Sequence, residues 1–323
     1  MHAYPHLLAD VGGTNIRLGV VDAAGLPLRA LSRLATPASG DIADAIAVHL
    51  ATLAPIGPAS AAIALAAPIT RTRIQLTNSG AHIDHARARA RLGLGTLVFV
   101  NDLAATAASL PHLAAHRMRM IGRGAMAMAP ATRLVIGCGT GCGVSASIPV
   151  GERCQVVPSE AGHMAFRAVG ADEERFQRFL SPLVPSADRG VATYDRVLCG
   201  SGLLAMAECF AREHGAAPLP DPETVAGAAV TGTDSHAGDA AALFARILGS
   251  FAGELALAFL PFGGVYLAGA ILERLAPVLL QGEMRARFCD KGRQSALLAE
   301  IPIGVIMEPL APLLGLAAIL AEA

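Results

Sequence analysis

The chain has no surplus of either charge: 25 Lys and Arg stand against 26 Asp and Glu over 323 residues, a net of −1. That excludes a basic field of the kind nucleic acid selects, so no nucleic-acid partner is expected. Only one of the 25 basic residues, Lys291, is a lysine, a compositional bias without functional meaning. The six cysteines (Cys138, Cys142, Cys154, Cys199, Cys209, Cys289) include no CxxC pair. A chain of this length needs no disulfide staples, and zinc ligands would lie closer together. They read as small buried residues, with Cys138 and Cys142 in a glycine-rich stretch that needs small side chains. The chain also lacks an unbroken apolar run, despite a mean hydropathy of +0.50. Residues 45–70 are broken by Pro55, Pro58 and Pro68, residues 134–151 by five glycines, and residues 255–272 by Pro261-Phe262-Gly263-Gly264. No membrane-spanning helix is expected from these. Met1-His2-Ala3-Tyr4-Pro5-His6 shows no basic segment followed by an apolar one, so the expected location is cytoplasmic.

What the chain does carry is Asp10-Val11-Gly12-Gly13-Thr14-Asn15-Ile16-Arg17, between apolar runs 7–11 and 16–21 that predict a tight hairpin. Adjacent glycines allow positive φ and a close approach of backbone N–H groups to an anion. Asp10, at a strand end, suits a phosphate site only if a metal ion stands between. Thr14, Asn15 and Arg17 add side-chain donors. Taken alone, the stretch also reads as an ordinary Gly-Gly hairpin turn with a solvated Asp. A second unit of the same kind follows: a strand over 133–136, then Gly137-Cys138-Gly139-Thr140-Gly141-Cys142-Gly143, then a strand from Val144. Each of Gly137, Gly139, Gly141 and Gly143 would weaken a strand, so a phosphate cradle of backbone N–H groups with the Thr140 hydroxyl accounts for them better. No Lys-Ser/Thr follows as in a Walker loop, and a strand follows where a dinucleotide fingerprint needs a helix.

Between these units a short apolar strand, 97–100, ends on Asn101-Asp102 ahead of a helix over 103–110. Ligands of open α/β sheets bind beyond the carboxyl ends of strands, which makes Asp102 a catalytic candidate. Either residue would also cap the helix, and the pair can divide the two roles. In Pro158-Ser159-Glu160-Ala161-Gly162-His163, Glu160 and His163 can reach vicinal hydroxyls from one turn. A metal fragment lacks further ligands, and a plain surface turn fits as well. Gly263, Gly264 and Gly269 frame a buried strand, 265–268, where a flat adenine and ribose can lie against the backbone.

The order of elements up to residue 110 reads βββαββαβα, a mixed sheet with helices on its faces. A boundary at 111–125 gives a small α/β domain over 1–112, completed by a C-terminal helix over 309–323, and a large α/β domain over 113–308. The helix over 238–260 is apolar almost all round and reads as core. Pro277 should end or kink the helix that starts at Ile271. Residues 288–293 read as a turn. The last helix should have Pro309 at its first position, and its apolar character favours a homodimer.

Two strand–glycine loop–strand units, an acid at a strand end between them, and a glycine-framed strand near the C-terminus resemble the actin-like ATPase superfamily of sugar kinases. Within it the chain is similar, over essentially its whole length, to the bacterial glucokinase family. The carrying residues are 10–17, Val100-Asn101-Asp102, 137–143, Glu160-x-Gly-His163, Arg196-Val-Leu-x-Gly, Gly263-Gly-Val-Tyr-Leu-Ala-Gly269 and Lys291-Gly-Arg293. The zinc-binding cysteine cluster of many ROK-type sugar kinases is absent. The resemblance implies two actin-like (ribonuclease H-like) α/β domains with mixed sheets flanking a central cleft that closes on the sugar. It implies ATP-dependent phosphorylation of glucose at the 6-hydroxyl, with Asp102 as general base. Asn101, Glu160, His163 and Asp195 would hold the sugar. Gly12, Gly13, Thr14, Asn15 and the 137–143 loop would bind phosphates, Asp10 would orient Mg²⁺, and Gly263, Gly264 and Gly269 would approach the nucleoside. Three departures bear on the sugar: Asp195 where the family has Glu, Ala165 where many members have an acid, and no aromatic in Thr77-Asn78-Ser79-Gly80-Ala81-His82. A kinase for mannose or an N-acetylated amino sugar is therefore an alternative. So is a non-catalytic sugar sensor, against which Asp102 and the lack of a helix-turn-helix extension count.

Overall fold

The computed structural model describes residues 3–24, 26–53, 57–76, 80–122, 130–151, 153–184 and 190–322. Thr77, Asn78 and Ser79 and most of the glycine- and methionine-rich stretch 122–130 lie outside the described residues. The chain divides into two compact units, 1–113 with 308–323, and 114–307.

The first unit opens with β1 (His6–Val11), β2 (Asn15–Val21) and β3 (Arg29–Ala35). It continues through β4 (Ser39–Asp41), α1 (Ile42–Ala51), β5 (Ser60–Leu65), β6 (Arg73–Gln75), β7 (Gly80–Asp84), α2 (His85–Arg91), β8 (Thr96–Asn101) and α3 (Asp102–Ser109). Five strands form one sheet in the order β3-β2-β1-β5-β8, and β4-β7-β6 form a small second sheet. The central strands are covered on both faces, and side chains alternate between them. Leu7, Ala9, Val11 and Ile63 pack with Ile42 and Ile46 of α1. Leu8, Ala62 and Ala64 face the other way, toward Ala105 of α3. Asp41 and Asp84 cap α1 and α2, each accepting a backbone N–H of the first turn.

The second unit runs β9 (Met118–Met120), β10 (Arg133–Cys138), β11 (Cys142–Val150), β12 (Arg153–Ser159), α4 (Ala171–Leu180), α5 (Tyr194–Val197), α6 (Gly200–Glu213) and α7 (Pro222–Thr231). It continues with α8 (Ser235–Phe259), β13 (Val265–Ala268), α9 (Ala270–Leu279), α10 (Glu283–Cys289), α11 (Ser295–Ala299) and β14 (Ile303–Ile306). Its sheet order is β12-β11-β10-β13-β14-β9. The first five of these strands repeat the first unit: three antiparallel neighbours, then two parallel additions. Among the described residues one helix, α8, has the length and hydropathy to cross a membrane, but 67% of its most apolar stretch is buried. Phe244, Phe251 and Leu248 of this helix are fully buried in the core, as its all-round apolar sequence requires. It ends at Leu260 with φ +44°, next to Pro261, which cannot continue a helix.

The last helix, α12 (Ala311–Glu322), belongs to the first unit, where Leu313, Leu316 and Leu320 cover the Leu8–Ala62–Ala64 face. This burial within one chain accounts for the apolar character that the sequence reading took as favouring a homodimer. The helix starts two residues after Pro309 rather than on it. Pro277 lies inside α9, which continues to Leu279. Residues 283–289, partly read as a turn, form α10, whose Met284 and Phe288 are buried. Strands β4, β7 and β9 are short additions that periodicity did not separate from loop.

Small residues let α12 approach α3. A side-chain carbon on Gly315 would land on the Ala105 carbonyl and lie 3.0 Å from the Ser109 nitrogen. Gly315→Leu is expected to cost about 1–3 kcal/mol through overpacking, read as a lower Tm in calorimetry. An unchanged Tm would mean that these helices do not pack this closely.

Candidate active site

In the first unit the parallel strands end level with one another. Val11 of β1 is opposite Leu65 of β5, and Leu65 is opposite Asn101 of β8. The glycine turn 12–14 and Asp102 therefore stand on one edge of the sheet, two strand spacings or about 10 Å apart. The turn is closed by Gly12 N–H donating to the Asn15 carbonyl at 2.9 Å. Thr36, just past β3, staples it: its hydroxyl donates to the Gly12 carbonyl at 2.7 Å, and its N–H to the Thr14 carbonyl at 3.0 Å. Nothing in the sequence pointed to Thr36, which is remote from the motif. Neither Gly12 nor Gly13 has a positive φ, so the expected left-handed turn is not why they are glycines. Gly13 has open space where a side chain would be, which leaves its backbone approachable. Asn15 is occupied by neighbours: its Nδ2 donates to the Thr14 hydroxyl at 2.9 Å, and Arg33 Nε donates to its Oδ1 at 2.9 Å.

Asn101 is the helix cap. Its Oδ1 accepts Leu103 N–H at 3.1 Å and Ala104 N–H at 3.2 Å, so a contact with a sugar hydroxyl falls to Nδ2. Asp102 is the first residue of α3, where the positive end of the helix dipole favours an anion. Its Oδ1 accepts Leu103 N–H at 2.8 Å, which orients the carboxylate. Asp10 pairs across the hairpin with Arg17, whose Nη1 is 3.2 Å from Oδ2. Burial raises the Asp10 pKa above its ordinary value, and Arg17 offsets part of that rise. Among the described residues no group of three or more His, Cys, Asp or Glu is placed to hold a metal. A magnesium ion that keeps waters and nucleotide phosphates needs only one or two carboxylates, so Asp10 fits as a single protein donor.

In the second unit the candidate residues converge on Cys142. Strands β10 and β11 run further into the glycine stretch than the sequence reading allowed. Gly137 pairs with Gly143 and Cys138 with Cys142, leaving only 139–141 as loop. Two of the four glycines thus lie in the ladder. Gly139 N–H is used inside the loop, donating to the Gly141 carbonyl at 2.9 Å, so it is not part of a cradle as drawn. Thr140 is exposed at the tip.

The turn carrying Glu160 and His163 packs on the same strand end, since a side-chain carbon on Gly162 would land on the Cys142 carbonyl. Both side chains are exposed, with 3.7 Å between Glu160 Oε2 and His163 Nε2. Ala165 bridges to Thr193, and Tyr194 N–H donates to the Met164 carbonyl at 3.2 Å. This brings Asp195 beside the turn, where its Oδ1 accepts Cys142 N–H at 2.8 Å. That bond had no signal in the sequence, because 53 residues separate its partners.

Gly269, with φ +115°, follows β13 and packs on the Cys138 carbonyl, at the same strand ends as the 139–141 loop. Gly263 and Gly264 do not join it. They precede β13, at the other end of a four-residue strand. A side-chain carbon on Gly263 would lie 2.6 Å from the Ala131 carbonyl, and one on Gly264, which has φ +111°, 2.8 Å from the Tyr266 hydroxyl. Local packing explains this pair, and the grouping of all three glycines at one nucleoside surface is corrected accordingly.

Two copies of one mixed sheet, each with a glycine turn after its first strand, define the actin-like ATPase fold of sugar kinases. The chain belongs to the glucokinase family, whose sequence profile matches residues 7–323. It is similar to the glucokinase of Sinorhizobium fredii, 35% identical over 98% of this chain and 92% of that protein. Among solved structures, a glucokinase from an Antarctic psychrotroph matches with TM-score 0.80 and 29% identity, covering 99% of each chain. A ROK family glucokinase from Streptomyces griseus, in complex with glucose and AMPPNP, shares the fold with TM-score 0.68 at 21% identity, over 99% of this chain and 100% of that one.

The Asp10 shift carries a sign that can be checked. A carboxyl with a raised folded-state pKa binds its proton more tightly folded than unfolded, so it costs stability as pH rises from the unfolded to the folded value. Carboxyl NMR should place the Asp10 midpoint above 3.8, and the stability difference between Asp10→Asn and the parent should move in favour of the variant across that interval. A midpoint at or below 3.8 would mean that Arg17 outweighs burial.

Proposed function

We propose that this glucokinase-family enzyme transfers the γ-phosphoryl group of ATP to the 6-hydroxyl of glucose with Asp102 as general base. The observation that carries the reading is the level edge of β1, β5 and β8, which puts Asp102 and the Gly12–Thr14 turn on the same edge of the sheet, two strands apart. Asp102 takes the hydroxyl proton as the sugar oxygen attacks phosphorus, and the bond to the ADP oxygen breaks in line with that attack. Asn101 Nδ2, Glu160, His163 and Asp195 bind the other sugar hydroxyls and so fix which oxygen reacts. Gly13, Thr14 and the 139–141 loop receive phosphate oxygens, and the nucleoside lies at the adjacent strand end, where Gly269 packs its backbone on the Cys138 carbonyl. Mg²⁺, held through Asp10, would neutralise phosphate charge when bound. The fold accommodates both ligands in the Streptomyces griseus protein, which is described with glucose and AMPPNP. The six cysteines are free thiols, in keeping with work in the reducing cytoplasm. A homodimer remains part of the reading, without support from α12.

A second reading, a kinase for mannose or an N-acetylated amino sugar, draws on Asp195, one of whose oxygens is engaged by the Cys142 amide. A coupled assay with Mg-ATP against a hexose panel separates the two. Glucose turnover is expected, and Asp102→Asn is expected to lower kcat by about 10²–10⁴-fold at unchanged glucose affinity. Turnover of another hexose in place of glucose would move the substrate to the second reading. Sugar binding with no turnover of any hexose would sink the kinase reading.

A further inference from the structure

The segment 194–200 holds the 139–141 loop at both ends. Asp195 Oδ1 accepts Cys142 N–H at 2.8 Å at one end of the loop. At the other end, Gly200 N–H donates to the Gly139 carbonyl at 3.0 Å. Between them, Gly141 has no room for a side chain, because its first carbon would land on Asp195 Oδ1. The gripping segment is itself rigidly seated. Tyr194 is 2% exposed, stacks on Phe251 of α8 with 4.2 Å between ring centroids, and donates its hydroxyl to Glu254 Oε2 at 3.3 Å.

We propose that Asp195 is a positioning residue for the phosphoryl donor: through the Cys142 amide it fixes the shape in which the 139–141 loop receives ATP phosphates. The proposal rests on the kinase reading above, and it adds a task for the carboxylate that is separate from any sugar contact. Two physical points support it. A three-residue loop with two glycines has wide backbone freedom, and a ligand that needs one shape binds only in proportion to how often that shape is present. Loss of the accepting oxygen leaves the Cys142 N–H without this partner, so the loop should loosen measurably. A carboxylate close to phosphates is also electrostatically adverse. Its use here makes sense where its accepting oxygen matters more than its charge.

The test measures AMPPNP and glucose affinity separately by calorimetry with magnesium present, and hydrogen exchange at the Cys142 amide. Asp195→Ala is expected to weaken AMPPNP roughly tenfold or more and to speed Cys142 exchange. Asp195→Asn keeps an accepting oxygen and should bind AMPPNP within about threefold of the parent, with the amide still protected. Gly141→Ala pushes on the same carboxylate from the other side. It should reproduce the AMPPNP loss, and it supplies the answer if Asp195→Ala does not fold. AMPPNP affinity close to the parent in both Asp195→Ala and Gly141→Ala overturns the proposal, as does an Asn variant no better than Ala. Lost glucose affinity with intact AMPPNP affinity in Asp195→Ala overturns it too, leaving Asp195 as a sugar contact alone. A parent protein that binds neither ligand would instead overturn the reading of function.

Discussion

The candidate site in the second unit depends on the backbone of one residue, Cys142. Its N–H is held by Asp195 from α5, and its carbonyl fills the space that Gly162 leaves by having no side chain. The hairpin, the Glu160–His163 turn and the short helix of Asp195 therefore share a single fixed point. Each alone would be an ordinary surface feature. Joined there, they form a rigid base on which two exposed polar side chains are presented in fixed relation to a glycine loop, and such preorganisation lowers the cost of binding.

The first unit solves a similar problem with different means. Its site residues sit on the level ends of three parallel strands, so register rather than a hub sets their spacing. Asn101 takes the cap, which lets its neighbour occupy the helix N-terminus with its carboxylate accepting the Leu103 N–H. Alternation along β1 and β5 keeps that edge in place: bulky residues meet α1, whereas Ala62 and Ala64 let α3 and α12 come close on the opposite face.

Much of this was legible from residue order. The two glycine units, the strand ending at Asn101-Asp102 and the buried strand after Gly264 each have a local pattern that periodicity and turn chemistry detect. The family followed from their sequence order. What was not legible is non-local. Thr36 stapling the Gly12 turn, Gly162 fitting against Cys142, and Asp195 reaching the Cys142 amide all join residues far apart in the chain. The glycines show the limit most clearly. Gly12 and Gly13 were read as turn glycines free to take a positive φ, yet neither does, and Gly141, read as part of a phosphate cradle, is glycine because a carboxylate occupies its flank. Gly263 and Gly264 were assigned to a ligand surface although the Ala131 carbonyl and the Tyr266 ring already account for them. Pro277, expected to end or kink its helix, does not end it, because the burial of Leu275 and Leu279 on either side outweighs one missing backbone bond.

The place of α12 has a consequence for synthesis. The sheet face formed by Leu8, Ala62 and Ala64 is covered by residues 311–322, although its strands leave the ribosome first. About 200 residues separate α3 from α12. At 5–20 residues per second the nascent first unit would wait about 10–40 s with this apolar face uncovered, while the second unit is synthesised. The N-terminal segment 1–113 is thus completed only after the whole second unit has been made, and over that interval its open face needs chaperone cover.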